Sequence, residues 1–394
     1  MIRTKKKRNL KSDNKAFSFS HQAMGTFFEV FIAGQSQDYS RNAAAAFFQE
    51  IDRLEGFFSR FDDRSEISRI NRLKPGEVLP VGFETYECLK LSFGLMVETG
   101  GAFNINFRAI KNRLVAGGWG GAYNGKKDYE LQSELEAAVI KAIKPKEENE
   151  GEKQEKDDKE DKKNKAGKDK IKSKKKIPAA SAWNVPLKSG PESSVAQTPG
   201  VIGTNVRTEL ETYLEFFPLE LMEQGGGYLL VRLDVPGAGL DLDLGAIGKG
   251  LALGKAAALF SDWEIEDFLV NAGGSTVYGC GPKPWPVAVG GGFDFFKPGK
   301  IYLKNRALSG SGHEVKGEHI FDPREERQQS RHLAAWVSHP SAAWADALST
   351  AFMVMSLDEI KSYCRARPEV WTLIISRDKK SHLYNQMDFF ETGG

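Results

Sequence analysis

Asp346 and Thr350 lie four residues apart in AWADALSTAFMVM, residues 343–355, an otherwise apolar stretch with helical character. Positions i and i+4 share one helix face, so a carboxylate and a hydroxyl are stacked one turn apart. Two chemistries fit that pairing. Hard oxygens at fixed separation suit Mg²⁺, which takes a few protein ligands and keeps water or phosphate oxygens for the rest. Alternatively, an Asp in a first turn complements the helix dipole, and a mid-helix Thr bonds the carbonyl four residues back. Spacing alone favours the second reading.

A second candidate is DLDLGAIGKGLALGKAA, residues 241–257, where Asp241 and Asp243 run into Gly245, Gly248 and Gly250 and then a helix. Glycines at a strand-to-helix turn let backbone approach a ligand, and helix N-terminal amides with Lys249 nearby suit phosphate. No GxxxxGK[ST] frame fits, and Leu253 stands where GxGxxG needs its third glycine. A turn that packs helix on sheet accounts for the same glycines equally well. In SGSGHEVKGEHIFDPR, residues 309–324, His313 and His319 are acid–base candidates. There Asp322 either orients a histidine or caps the turn at Pro323. The pair Gly273-Gly274 in FLVNAGGSTVYGCG reads as a turn.

The elements that must carry these groups are legible from periodicity. Strands are expected over TFFEVFIA (26–33), YLLVRLDV (228–235), the LDLDL run, FLVNA, TVYGCG, WPVAVG, HLAAWVS and VWTLIIS. Helices are expected over 40–59, 84–98, 247–260, the Asp346 segment and 357–366. Helices and strands cluster rather than alternate strictly, which points to an α+β fold with mixed or antiparallel sheets.

The chain has 394 residues and a formal net charge of +2, so no global field argues for nucleic acid. Residues 144–176 hold 14 lysines and 10 acidic residues, with Ile171 the only large aliphatic. Such a run cannot bury enough apolar area to offset chain ordering, so it reads as a disordered insertion, extending over 145–204. Residues 1–20 read as a basic flexible N-terminus before one domain over 21–394. Three dispersed cysteines without CxxC argue against a disulfide framework or a zinc site. No apolar run is long enough to span a membrane, and none follows the basic start as a signal peptide requires. The expected setting is cytoplasmic, although an export signal trimmed away would leave the same pattern.

The order of short motifs adds what no single one carries. Met24-Gly25-Thr26, SRFDDRSEISRIN (59–71), TGGAFNINF (99–107), DLGAIGKG (243–250), VNAGG (270–274), SGSG…HIFDPR (309–324) and ADALST (345–350) follow in register. This series resembles the ApbE family, flavin transferases that move FMN from FAD onto a Thr or Ser of an acceptor flavoprotein, releasing AMP. The resemblance runs from about Gln22 to the C-terminus apart from the charged insertion. It implies FAD as substrate, Mg²⁺ as cofactor, and a redox-complex subunit or soluble reductase as acceptor. It implies Asp346, Thr350 and the Ala246 carbonyl as metal ligands. Met24, Phe61, Trp119, Asp243, Lys249 and Phe321 fall in the cofactor-binding set it implies, and His319 and Asp243 in the catalytic one. His319 is the better base for an acceptor hydroxyl, Asp243 the weaker. The chain departs from relatives at Ser275, Asn104 and Gly254, where Asp is usual, and in following HIFDPR with Glu325-Glu326. Two further readings are an FAD pyrophosphatase that uses water, and a flavin-binding protein without catalysis. Retention of Asp346, Thr350, Asp243 and Lys249 argues against the latter.

Overall fold

The structure is a computed structural model that describes residues 16–116, 213–289, 295, 299–312, 320–328, 330–385 and 390–391. The insertion, Trp119, His313 and His319 lie outside the described residues.

An eight-stranded sheet forms the frame. Its order is β1 (Phe17–Ala23), β2 (Thr26–Ile32), β6 (Phe268–Ala272), β7 (Thr276–Cys280), β10 (Arg306–Gly312), β13 (His332–His339), β14 (Trp371–Ser376) and β15 (Ser381–Tyr384). All its pairings are antiparallel. The period-2 pattern explains the faces. In TFFEVFI the residues Thr26, Phe28, Val30 and Ile32 are buried, while Phe27, Glu29 and Phe31 between them are half-buried.

The buried face is covered by helices. α1 (Gln37–Phe58) lays Ala43, Ala44, Phe47, Ile51, Leu54 and Phe58 onto the core, and Ser36 caps its start by accepting from the Tyr39 N–H. α2 (Glu66–Asn71), α3 (Phe83–Glu98) and α4 (Phe107–Ala116) follow, then α5 (Gly248–Asp262), α6 (Ala342–Phe352) and α7 (Leu357–Ala366). Near-complete burial of α6 follows from its place between α5 and the strands β7, β10 and β13. The start of α7 is set by a capping box between Ser356 and Glu359.

Three smaller sheets complete the molecule: β3 (Val78–Val81), β5 (Gly227–Arg232) and β4 (Leu219–Gln224); β16 (Phe390–Glu391), β9 (Gly299–Leu303) and β8 (Trp285–Val289); and the pair β11 (Phe321–Asp322) and β12 (Arg327–Gln328). A second core, with Ile301, Leu303, Leu308 and Trp371, joins β8 and β9 to the other face of the large sheet.

The fold is α+β with packed helices and antiparallel sheets, as expected. One element differs. LDLDL is not a strand: its backbone pairs with two side-chain amides and, through the Asp243 N–H, with the Ile105 carbonyl at 2.7 Å, rather than with a neighbouring strand. Asn71 donates to the Leu242 carbonyl at 3.0 Å and accepts from its N–H at 2.7 Å. Asn106 accepts from the Asp241 N–H at 2.8 Å and donates to the Phe216 and Gly239 carbonyls. An extended segment held in this way keeps strand-like alternation, which is why its sequence looks like a strand.

Candidate active site

α6 begins at Ala342, so Asp346 is its fifth residue and lies beyond the first turn. The dipole account suggested by the local sequence therefore loses its geometric basis. Asp346 is only 4% exposed. Its Oδ1 accepts from the Thr276 hydroxyl at 3.0 Å and the Ser309 hydroxyl at 3.2 Å. Its Oδ2 accepts from the Gly250 N–H at 3.0 Å. The Lys249 ammonium stands 3.6 Å from Oδ1. A buried carboxylate needs such partners, and here they come from α5, β7 and β10.

Close approach of two helices makes the Gly250 bond possible. A Cβ on Gly250 would lie 2.4 Å from the Ala342 carbonyl oxygen, so only glycine lets α5 seat its first turn against α6. Another glycine contact aligns the hairpin turns. A Cβ on Gly273 would lie 2.2 Å from Thr26 Oγ1, and Gly273 has φ of +60°. The Gly273 N–H donates to the Phe27 carbonyl at 2.9 Å. This contact sets the Met24-Gly25 turn, both residues left-handed at φ 51° and 69°, beside the strand start that carries Thr276. Gly273-Gly274 is the turn the sequence indicated.

Thr350 does not use its hydroxyl as the local reading proposed. The backbone-bonded hydroxyl is that of Ser349, which donates to the Asp346 carbonyl at 2.9 Å. Thr350 Oγ1 instead meets Ser311 Oγ at 3.3 Å. Ser311 also meets Ser349 at 2.9 Å, and Ser349 reaches Ser309 at 3.4 Å. The hydroxyls of Ser311, Ser349 and Ser309 thus link Thr350 to Asp346 as one network.

The loop side of the site is organised by charge. Asp243 Oδ1 accepts from the Gly245 N–H at 2.9 Å, closing the turn into α5. Arg60 reaches Asp243 Oδ2 at 3.2 Å and Asp241 Oδ1 at 2.8 Å. Arg108 approaches the same carboxylates at 3.7 and 3.6 Å. Asn112 adds a bond to Asp241 at 3.0 Å. Two arginines thus offset two aspartates in a half-buried cluster joining the α1–α2 loop, α4 and the 241–243 segment. Lys249 continues the chain of contacts, donating to the Gly245 carbonyl at 3.1 Å while facing Asp346.

Phe61 adjoins Arg60, whose guanidinium lies 5.6 Å from the ring centroid, and the ring is 60% exposed. That places an aromatic ring beside the Asp243 cluster, joined to it through Arg60. Phe321 is 8% exposed, with its ring against Phe107 on α4. Asp322 is buried and caps its own turn by accepting from the Arg324 N–H at 3.0 Å; it also holds the Arg324 guanidinium. Of the two roles the sequence offered Asp322, the turn cap is the one seen. Arg324 extends from Asp322 to Glu359 on α7.

Asp346, Thr350, Lys249 and Asp243 are therefore brought together, with Ala246 in the loop between the last two. Met24 and Phe61 stand on the adjoining turns. Arg60, Arg108, Asn71, Asn106, Thr276, Ser309 and Ser311 join the site without having been singled out. Arg60 and the SGSG serines lie inside quoted motifs, but neither residue type nor local spacing says what they touch.

The donors fit a hard divalent cation. Among the described residues they are the Asp346 carboxylate and the Thr350 and Ser311 hydroxyls, with no imidazole or thiolate among them. A cation, the Lys249 ammonium, already bridges the carboxylate and the Gly245 carbonyl next to Ala246.

Comparison with known proteins follows the same lines. A sequence model of the ApbE family matches residues 24–166 and 180–374. A Rhodobacter capsulatus protein named FAD:protein FMN transferase is 35% identical over 126 residues, 29% of this chain and 24% of the relative. The alignment thus spans about a quarter of that relative's length. The structure resembles the apo form of Pseudomonas stutzeri flavinyl transferase ApbE with a TM-score of 0.59 at 16% identity, covering 94% of this chain and 96% of that one. Vibrio cholerae flavin transferase ApbE gives 0.59 at 18% identity, covering 94% and 97%. The Thermotoga maritima ApbE protein gives 0.59 at 21%, with the same coverage. At these identities the likeness speaks for the fold. The family match is broader in kind, because it takes in the Met24 turn, the Asp243 loop and the Asp346 helix together, and on that ground the chain belongs to the ApbE family.

Proposed function

We propose that this protein is a Mg²⁺-dependent FAD:protein FMN transferase. In this reading an acceptor hydroxyl attacks the flavin-side phosphorus of FAD. The bond from that phosphorus to the bridging oxygen breaks, AMP leaves with that oxygen, and the hydroxyl proton passes to a base. FMN ends as a phosphoester on a Thr or Ser of the acceptor, which we place among redox-complex subunits and soluble reductases. The observation that carries the reading is the buried Asp346 carboxylate, joined through Lys249 to the glycine loop and through serines to Thr350. The R. capsulatus relative's name supports the same activity.

Asp346, Thr350 and the Ala246 carbonyl would hold Mg²⁺. When bound, the ion neutralises charge on the pyrophosphate oxygens. Lys249 and the first amides of α5 add positive potential toward the same phosphates. Arg60 and Arg108 hold Asp243 in one orientation, so the turn beneath the ligand is set before binding. Met24 and Phe61 supply apolar surface for the flavin, and Phe61 can stack on a flat ring. Trp119 and Phe321 are assigned to the same binding set, and His319 to the base, on the strength of the family resemblance.

The test is to mix protein, FAD, Mg²⁺ and an acceptor domain, then follow AMP release and in-gel flavin fluorescence of the acceptor. Labelled acceptor with AMP is expected. FMN and AMP without labelling would make the protein a pyrophosphatase. Binding of FAD without cleavage would leave it a flavin carrier. Asp346→Asn, which keeps the side-chain shape, should lower AMP release by about 10²-fold or more. Normal cleavage by this variant at limiting Mg²⁺ would remove Asp346 from the metal site.

A further inference from the structure

Lys249 has two anionic or electronegative partners. Its ammonium donates to the Gly245 carbonyl at 3.1 Å and stands 3.6 Å from Asp346 Oδ1. Asp346 Oδ1 also meets the hydroxyls of Thr276 and Ser309, and Oδ2 takes the Gly250 N–H, which leaves a lone-pair direction of the carboxylate for a cation. A divalent ion bound to that carboxylate cannot share it with an ammonium at this distance. At short range in a partly buried site, like charges repel strongly. The lysine stem has four flexible carbons, so its head can move without shifting α5.

We infer that Lys249 is the resident counter-ion of Asp346, displaced when a divalent cation arrives and thereby released toward the anionic ligand. This rests on the metal reading of Asp346 above. It assigns Lys249 a second role beyond contact with a phosphate: it keeps the buried carboxylate paired while no metal is bound. The site thus avoids an uncompensated buried charge, which would destabilise the metal-free protein. It also couples the two ligands. Metal binding turns an ammonium engaged by Asp346 into one available to phosphate, and by linkage a phosphate ligand that draws Lys249 away must favour the metal equally.

The experiment uses the full chain with Mn²⁺ alone, without nucleotide, and measures affinity by electron paramagnetic resonance. Lys249→Gln is expected to bind Mn²⁺ roughly tenfold more tightly than the wild type, because the competing cation is gone. Lys249→Arg keeps a cation and should stay within about twofold of the wild type. Metal-free Tm should fall in Lys249→Gln, and the rise in Tm on adding Mn²⁺ should exceed that of the wild type. Lys249→Met provides the same comparison if the Gln variant does not fold. Unchanged or weaker Mn²⁺ affinity in Lys249→Gln or Lys249→Met overturns the inference. So does tenfold tightening in Lys249→Arg. Asp346→Asn separates this failure from failure of the underlying reading. If that variant binds Mn²⁺ as tightly as the wild type, the metal is held elsewhere, whatever Lys249 does.

Discussion

Ser311 illustrates how much a single hydroxyl can organise. It touches both Ser349 and Thr350 and so orients the second oxygen of the proposed metal pair. Loss of the hydroxyl should leave Thr350 free to rotate, at a cost in metal affinity rather than in chemistry. For Ser311→Ala the expected outcome is a several-fold rise in the Mg²⁺ concentration giving half-maximal AMP release, with the rate at saturating Mg²⁺ preserved. A titration of rate against Mg²⁺ checks it. A lower plateau with an unchanged midpoint would place Ser311 in the chemical step. Arg60 acts differently, since it holds Asp241 and Asp243 at once. Removing it takes away the one of the two guanidiniums that is within hydrogen-bond distance of both carboxylates.

At the scale of elements, the α5–α6 contact is the mechanical basis of the site. Gly250→Ala would put a methyl group into the Ala342 backbone, which has no freedom to withdraw. The expected cost is about 1–3 kcal/mol of stability, from overpacking against main chain. Because the Gly250 N–H also holds Asp346, metal affinity should fall with it. Urea unfolding and Mn²⁺ binding on one sample would show both changes, and a fully stable variant would mean that the helices are less tightly seated.

The start of α6 carries a pH-dependent contribution. His339 ends β13, stacks on Trp344 and accepts from the Ser341 N–H through Nδ1 at 2.9 Å. Burial holds its pKa down at about 4, with Arg306 lowering it further and Glu369 and the Ser341 backbone opposing. His332 is lowered by burial in the same direction. The unfolded chain therefore takes up a proton near pH 6.5 that folded His339 refuses until about pH 4. Stability is complete above the unfolded value and declines as pH falls from 6.5 toward 4. The His339 contribution to that decline is about 3 kcal/mol. Urea midpoints across this window should slope accordingly, and His339→Gln should flatten part of the slope. An unchanged slope would assign the effect to other groups.

For the whole molecule, the charged stretch of the sequence lies between α4 and the β4–β5 hairpin. Asn106, at the threshold of α4, bonds Phe216 and Gly239, and Arg113 within α4 pairs with Glu326. Side chains at α4 thus tie the residues before the stretch to Phe216, Gly239 and Glu326 beyond it. We propose that residues 145–200 are an insertion dispensable for catalysis. Their deletion should leave FAD cleavage within about twofold of the full chain, since loop closure costs little free energy at these lengths. Loss of cooperative unfolding on deletion would show the segment to be structural. No helix among the described residues is long and apolar enough to cross a membrane.

Local pattern was enough for most elements. Period 2 in TFFEVFI and FLVNA and helical spacing in α1 and α7 come from backbone geometry that any neighbour-independent reading sees. The order of motifs was enough for the family. LDLDL was misread because alternation reports which face is buried, and not what pairs the backbone; Asn71, Asn106 and the Ile105 carbonyl decide that. The same limit applied to Asp346. Its residue type and its i+4 relation to Thr350 were plain in the sequence, but its partners lie 37, 70 and 96 positions away. A carboxylate's chemistry depends on what surrounds it once water is excluded. The sequence therefore determined that a carboxylate and a hydroxyl share one helix face. The apolar run also marked that helix as buried; tertiary packing alone decided which groups surround the carboxylate, that three hydroxyl groups link the pair, and that an ammonium stands beside the carboxylate.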